Sequence, residues 1–181
     1  MLDHLAGEAS PLTGTFLRSV EFRWMHPDQV ISGAGAIKLG GRFVPVGTRA
    51  VYASDSEETL AREISVHKSR LSGKALIPIE KYPSVTFRID LKVDRHVSLV
   101  NAFHDHDMEK VRQRCLNPAS LGFSQRVGEY LQERGVQAIL YASVTGTGGN
   151  VVVFVENTKP GQVVIFNRAK VLSQISRLKD S

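Results

Sequence analysis

Five side chains of this sequence have the types needed to bind a phosphate-bearing substrate and to stabilise positive charge on it: Arg23, Arg42, Tyr52, Glu63 and Ser143. An arginine fork binds phosphate oxygens through paired hydrogen bonds, whereas a lysine offers only a point charge. A carboxylate can stabilise a sugar-like cation, hold a hydroxyl group or activate an acceptor. The tyrosine adds a flat face with a hydroxyl group, and we expect the serine to position groups rather than to attack covalently.

Each of the five residues also has an ordinary structural explanation. Isolated arginines commonly form surface ion pairs of little energetic weight. A tyrosine in an apolar strand usually belongs to the core, and a serine before a turn usually bonds to nearby backbone. Glu63 taken alone is a helix-edge charge with His67 four residues further on. Taken singly, none of the five residues indicates a site.

The first three residues fall on a strand, a loop and a second strand. Apolar and polar residues alternate from Val20 to Trp24, which predicts a half-buried strand with Arg23 on its polar face. Arg42 follows Gly41 in a long glycine-punctuated stretch, where glycine allows the backbone to approach a ligand closely. Tyr52 lies in a short apolar segment, residues 50–53, that predicts a buried strand.

The last two residues fall on a helix and at the end of a strand. Ser54 and Glu57 have capping-box spacing, which predicts the start of a helix. The apolar stripe of that helix places Glu63 at the border of the core. Ser143 ends an apolar run that begins at residue 138, and a glycine-rich turn leads to another apolar run over 151–156, which predicts two paired strands.

The remaining pattern predicts one α+β domain with mixed, mostly antiparallel sheets and flanking helices. Further strands are predicted over 85–93 and 163–166, and helices after Asn117-Pro118 and at the C-terminal end, without a regular βαβ alternation. Residues 1–16 are small, polar and turn-prone, so we expect a loose N-terminal arm there and the domain over 17–181.

Composition excludes several classes of protein. The 181 residues are 42% hydrophobic and 23% charged, as in ordinary globular domains. The single cysteine, Cys115, excludes an internal disulfide framework and is typical of a reducing compartment. No apolar run approaches the about 20 residues that span a bilayer, and the first residues lack a secretory pattern. We therefore expect a cytoplasmic protein that does not associate with membranes.

Charge and the other reactive residues do not by themselves define a site. The net charge of +5 is spread along the chain, so a small anionic ligand explains it as well as nucleic acid does. The glycines of 146–149 lie between two strands, not between a strand and a helix as dinucleotide binding requires. Residues 104–107 (His-Asp-His-Asp) indicate a polar loop or helix start rather than a metal site. Cys115 and His67 are expected to be a buried small residue and a core-edge histidine.

The order of several short motifs resembles the RES-domain family of bacterial toxins. The resemblance covers residues 18 to 168 and rests on Phe22-Arg23-Trp24, Ser32-Gly-Ala-Gly-Ala36, Gly40-Gly-Arg-Phe43, Gly47, Val51-Tyr-Ala53, Leu60-Ala-Arg-Glu63, Ile139-Leu-Tyr-Ala-Ser143 and Val152-Val-Phe154. It implies an ADP-ribosyltransferase-like fold and an enzyme that consumes NAD⁺ as its substrate without a metal. The nicotinamide–ribose bond is broken, with water or phosphate as the acceptor.

The resemblance also implies residue roles and a partner. It assigns catalysis to Arg23, Tyr52, Glu63 and Ser143, and NAD⁺ binding to Arg23, Gly41, Arg42, Tyr52 and Ser143. An antitoxin of the helix-turn-helix (Xre) type would block the active site, so that DNA is contacted only indirectly. This chain has Phe43-Val44 where the family usually has Trp-Asn, so a polar contact of that loop is in question.

Two alternative functions are compatible with the same sequence. The first transfers ADP-ribose from NAD⁺ to a specific cellular protein. The second is a non-enzymatic module that binds nucleic acid or a protein through the basic C-terminal segment, residues 168–181.

Overall fold

The computed structural model describes residues 1–72, 84–143, 145–146 and 148–179, and their side chains except those of 67–72 and 176–179. Seven helices and six strands are formed within these residues. The helices are α1 (Leu2–Gly7), α2 (Pro27–Val30), α3 (Ala34–Leu39), α4 (Glu57–Ser72), α5 (His106–Leu116), α6 (Leu121–Glu133) and α7 (Arg168–Lys179). The strands are β1 (Ser10–Glu21), β2 (Ala50–Ser54), β3 (Ser84–Leu99), β4 (Ala138–Ala142), β5 (Gly149–Phe154) and β6 (Val163–Ile165).

The six strands form one sheet that almost closes on itself. Their order is β1-β2-β5-β4-β3-β6, and β1 also pairs with β3. Every pair is antiparallel except β3 with β4, so the predicted α+β class with mostly antiparallel strands is confirmed. The ring is weakest between β1 and β2, where pairing is restricted to Leu17 opposite Ser54.

The sheet separates two apolar cores because successive side chains of a strand point to opposite faces. On one face Val152 and Phe154 pack with Tyr141 and with the loop residue Phe43. On the other face the core includes Val151 and Val153 of the same strand. α5 and α6 cover the first face through an apolar set that comprises Met108, Val111, Cys115, Val127 and Leu131.

The N-terminal segment differs from the expected loose arm. Residues 1–16 contain α1 and the first half of β1. Leu5 and Ala6 are buried in the core beside α6, and Asp3 accepts hydrogen bonds from Tyr130 and Arg134. A short helix is marginal alone, and here burial of one apolar face stabilises it.

Two local predictions are wrong at the level of single residues. The strand predicted through Trp24 ends at Glu21, and Phe22–Trp24 form a 3-10 turn in which Phe22 is 49% and Trp24 45% exposed. The cap of α4 is Ser56, whose hydroxyl accepts from the Thr59 amide, and not Ser54, which ends β2. In both cases tertiary pairing fixed the end of a strand, a feature that local spacing does not encode.

Other predicted elements are confirmed. β4 and β5 pair as a hairpin across the glycine turn, Asn117 caps the turn that follows it, and α7 forms the C-terminal helix. The polar segment before α5 is a helix start, with the Asp105 carboxylate accepting from two amides of the first turn. His67 falls on α4, but its side chain lies outside the described part. Within the described residues, no helix is long and apolar enough to cross a membrane.

Candidate active site

The carboxylate of Glu63 lies where α4 meets the ends of β4 and β5. Its Oε1 atom accepts from the Ser143 hydroxyl at 2.6 Å and from the Asn150 side-chain amide at 2.8 Å. Asn150 stands opposite Tyr141 in the β4–β5 ladder, so the serine two residues after Tyr141 emerges on the same face. The sequence placed Glu63 at the border of the core, and the side chain is indeed half-buried.

Ser143 is oriented by the turn that follows it. Its Oγ lies 2.7 Å from Thr145 Oγ1 and 3.1 Å from the Thr145 amide, which donates to it. Because a carboxylate can only accept, the Ser143 proton points to Glu63 and the serine accepts from Thr145. This geometry makes Ser143 a positioning hydrogen-bond donor to the carboxylate.

The glycine turn between β4 and β5 is held on the start of α4. The Gly149 amide donates to the Asp55 carboxylate at 2.6 Å. A Cβ at Gly148 would collide with Asp55 and Thr59, and the φ of Gly148 is +52°. Glycine is therefore required there both by the close approach and by the backbone conformation.

The loop that carries Arg42 is fixed from two sides. Gln125 of α6 donates from Nε2 to the carbonyls of Gly41 and Val44, at 3.0 and 3.2 Å. On the other side the Phe43 amide donates to the Tyr52 hydroxyl at 3.1 Å. A Cβ at Gly41 would overlap the ring of Tyr52, so the loop backbone lies directly on that ring. Gln125 was missed in the sequence because nothing local connects it to a loop about 80 residues earlier.

Tyr52 and Tyr141 are phenols near the charged groups of the site; Tyr141 is buried and Tyr52 is partly buried. Burial raises the pKa of Tyr52, against the opposing effects of the Phe43 amide and the Arg42 guanidinium. Burial also raises the pKa of Tyr141 well above its usual value, reinforced by Tyr52 and Glu63 and opposed by Arg42. Both phenols therefore stay neutral at physiological pH. Geometry connects Tyr141 to both sides of the site, because its ring meets Phe43 of the Arg42 loop and its partner in the ladder, Asn150, binds Glu63.

Arg42 retains donors for a ligand. Its Nη1 donates to the Cys115 carbonyl at 3.0 Å, and its other guanidinium N–H groups have no hydrogen-bond partner within the described ranges. The neighbouring Phe43 and Val44 are fully buried, and the Phe43 ring meets Tyr141 edge-on at 4.9 Å. At the two positions where the family usually has Trp-Asn, this loop therefore presents no polar side chain to a ligand.

Arg23 is not placed with the other predicted residues. Its side chain is 71% exposed, forms an ion pair with Glu21 at 2.7 Å and lies over the Trp24 ring. The cause is the early end of β1, because alternation fixes the direction of a side chain only while the strand continues.

Arg18 is the arginine that the fold brings next to Tyr52, and the sequence analysis missed it. Its Nη1 donates to the Tyr52 carbonyl at 2.7 Å across the weak β1–β2 junction. Its Nε is buried without a hydrogen-bond partner among the residues that the structure describes. Burial lowers the pKa of Arg18 to about 10. The available signal was an arginine inside the apolar run Phe16 to Val20, where a buried cation requires a partner.

The structure also bears on Cys115, on metal binding and on the basic C-terminal segment. Cys115 is buried, and burial raises the pKa of its thiol to about 12, which fits the expected small buried residue. Across the described ranges there is no group of three or more His, Cys, Asp or Glu side chains that could hold a metal ion. In the C-terminal basic segment, Arg168 is paired with Asp28 at 2.6 Å.

Comparison with known proteins identifies the family. Residues 16–172 match the RES domain. The chain belongs to the RES domain family. No curated protein matches it. Among solved structures it is similar to a chain in the crystal structure of the M. tuberculosis MbcT–MbcA toxin–antitoxin complex, with 19% identity, 97% of each chain covered and a TM-score of 0.73.

That structural similarity shows the fold alone. Within this RES domain, Glu63 accepts a hydrogen bond from Ser143. Tyr52 supports the Arg42 loop through its hydroxyl group and accepts from Arg18 through its backbone carbonyl.

Proposed function

We propose that this RES domain is the toxin of a bacterial toxin–antitoxin system and that it inhibits growth by consuming NAD⁺. The reaction would break the nicotinamide–ribose bond by hydrolysis or phosphorolysis. The observation that carries the proposal is the half-buried carboxylate of Glu63, hydrogen-bonded to Ser143 on the sheet face that also carries Tyr52, with the backbone of the Arg42 loop lying on the Tyr52 ring.

The carboxylate provides what the bond cleavage requires. Nicotinamide departs as a neutral molecule with the electron pair of the C–N bond, and the ribose C1′ acquires oxocarbenium character. A fixed negative charge stabilises that cation, as carboxylates do in glycosidases. Water or phosphate then forms the new bond to C1′, and the acceptor's proton is released to solvent or to Glu63.

Two arginines would hold the pyrophosphate of NAD⁺. Arg18 keeps an unpartnered buried Nε and Arg42 keeps unpartnered N–H donors within the described part of the chain, and a fork of N–H groups is suited to phosphate oxygens. The Tyr52 hydroxyl is occupied by the Phe43 amide, so its contribution to the ligand is its ring face and its support of the loop that bears Arg42. Gly41 allows the loop backbone to lie on that ring.

The proposal is tested with purified, antitoxin-free protein. We expect NAD⁺ to disappear and nicotinamide to accumulate, and we expect Glu63→Gln to lower kcat by at least about 100-fold, the typical effect of removing one transition-state-stabilising group. Glu58→Gln is the matched control, because Glu58 is an exposed glutamate of the same helix paired with Arg62. Equal turnover by the two variants would contradict the assignment of Glu63.

The acceptor is identified by the same assay under three conditions: with phosphate, without phosphate and with cell lysate. Turnover that requires phosphate indicates phosphorolysis, and turnover without it indicates hydrolysis. Turnover only in lysate, with ADP-ribose found on one protein by mass spectrometry, would instead establish the alternative of a protein-modifying transferase. Absence of turnover from folded protein in all three conditions would leave a binding module, for which salt-sensitive DNA affinity lost on removal of 168–181 is the test.

The proposed partner is an antitoxin of the Xre type that covers the active site. The structurally similar MbcT chain was solved together with an antitoxin, and a site that destroys NAD⁺ requires inhibition in the producing cell. We expect an antitoxin that binds this protein to stop NAD⁺ consumption at a stoichiometric ratio. Continued turnover in the purified complex would contradict this mode of inhibition.

A further inference from the structure

A chain of side-chain hydrogen bonds runs from Ser54 on β2 through Asn150 on β5 to Glu63 on α4. Ser54 Oγ donates to Asn150 Oδ1 at 2.7 Å, and Asn150 Nδ2 donates to Glu63 Oε1 at 2.8 Å. Ser54 is 3% and Asn150 4% exposed. The two residues stand opposite each other in the β2–β5 ladder, so the strand register itself brings their side chains together.

The direction of each bond in this chain follows from chemistry. A carboxylate has no proton to give, so the amide must turn its NH₂ group toward Glu63. The amide oxygen then faces Ser54, whose hydroxyl must be the donor. Removing that hydroxyl would leave a buried carbonyl without its partner and would remove what holds the amide in this orientation.

We propose that Asn150 is a positioning residue for Glu63 and that Ser54 orients it. The inference rests on the proposed function, since it concerns the same carboxylate. Both donors, Ser143 and Asn150, converge on Oε1, and Oε2 has no hydrogen-bond partner in the described part of the chain. Oε1 is therefore the anchored oxygen of the carboxylate, held by two donors from β5 and from the end of β4.

The proposal predicts a separation of kcat from KM. Asn150→Ala should lower kcat about 100-fold, as for a misplaced catalytic group, with the KM for NAD⁺ within about twofold of that of the wild-type protein because NAD⁺ is held by other residues. Ser54→Ala should lower kcat about tenfold, the effect of one lost hydrogen bond. Ser54→Thr keeps a hydroxyl and should restore most of the rate.

Non-additivity is the decisive readout. If Ser54 acts through Asn150, the double variant Ser54→Ala/Asn150→Ala should have the kcat of Asn150→Ala alone. The control is Asn157→Ala, which loses hydrogen bonds to the Gln132 and Val136 carbonyls, both at 2.7 Å, and should lower stability without changing kcat. Wild-type kcat in Asn150→Ala, or independent multiplication of the two effects, would overturn the proposal.

A second measurement does not depend on turnover. In urea unfolding, the free-energy changes of Asn150→Ala and Glu63→Ala should be non-additive, because the two side chains are bonded to each other. If the wild-type protein consumes no NAD⁺ but this coupling is found, the proposed function fails and the positioning of Glu63 stands. Additive changes would overturn the positioning whatever the activity.

Discussion

Exchange of Arg18 for methionine should stabilise the free protein while it abolishes turnover. Methionine keeps an apolar stem that reaches about the position of Nε but removes a cation whose Nε is buried without a partner in the described residues. Replacing a poorly compensated buried charge by an apolar side chain is commonly neutral or stabilising. The opposite sign of the two effects makes the prediction specific.

The size of the stabilisation follows from the lowered pKa of Arg18. Burial brings that pKa to about 10, which corresponds to about 3 kcal/mol against the charged form at neutral pH. Because the depressed pKa belongs to a base, this cost is fully present below about pH 10, falls as the pH rises above that value and vanishes only above the ordinary pKa of arginine. Loss of the hydrogen bond to the Tyr52 carbonyl lowers the free energy of unfolding by about 1 kcal/mol. The net gain of about 2 kcal/mol should raise Tm by about 6 °C.

The assay compares Arg18→Met with Arg23→Met in thermal unfolding and in NAD⁺ consumption. Arg23 is 71% exposed and paired with Glu21, and such a pair contributes less than about 1 kcal/mol. We expect Arg23→Met to change Tm by less than about 3 °C and turnover by less than about twofold, whereas Arg18→Met should lower kcat/KM at least about 100-fold through lost phosphate hydrogen bonds. A lowered Tm or retained turnover in Arg18→Met would refute the reasoning, as would loss of turnover in Arg23→Met alone.

Three further predictions concern packing and ionisation. Gly41→Ala forces a Cβ into the Tyr52 ring and should lower the free energy of unfolding by about 1–3 kcal/mol. Gly7→Ala is the control, because a Cβ there meets nothing within 4 Å. Urea unfolding checks both variants, and equal free energies of unfolding would contradict the packing of Gly41 on Tyr52. Burial that raises the pKa of the Cys115 thiol to about 12 should prevent alkylation at pH 8 until the protein unfolds, and mass spectrometry of folded protein showing the adduct would contradict this. The Arg112 guanidinium, with a backbone amide, lowers the pKa of Glu109 to about 2, so its stabilisation is present at neutral pH and is lost as the pH falls from 4.5 to about 2. Glu109→Gln should therefore lower the urea midpoint of unfolding at pH 6. The difference in midpoint between variant and wild type should vanish toward pH 2, and a difference independent of pH would contradict the role of the ion pair.

Local sequence determined the elements that carry most of the site. The helical stripe of α4 put Glu63 at the core border, because periodicity of 3.6 residues fixes which side of a helix is buried. The β4–β5 hairpin and the end position of Ser143 followed from two apolar runs around a glycine turn. The Gly41-Arg42 loop and the short strand of Tyr52 were recognisable for the same reason: each is coded by neighbouring residues.

Contacts between distant segments decided what the sequence could not. Whether Arg18 or Arg23 lies near Tyr52 depended on where β1 ends and on the single paired position between β1 and β2. Pairing with other strands sets the end of β1 and that junction. Asn150 reached Glu63, and Gln125 the Arg42 loop, across more than 80 residues. Periodicity gives the face on which a side chain lies, but its partner depends on how the strands are ordered and registered, which only the folded chain defines.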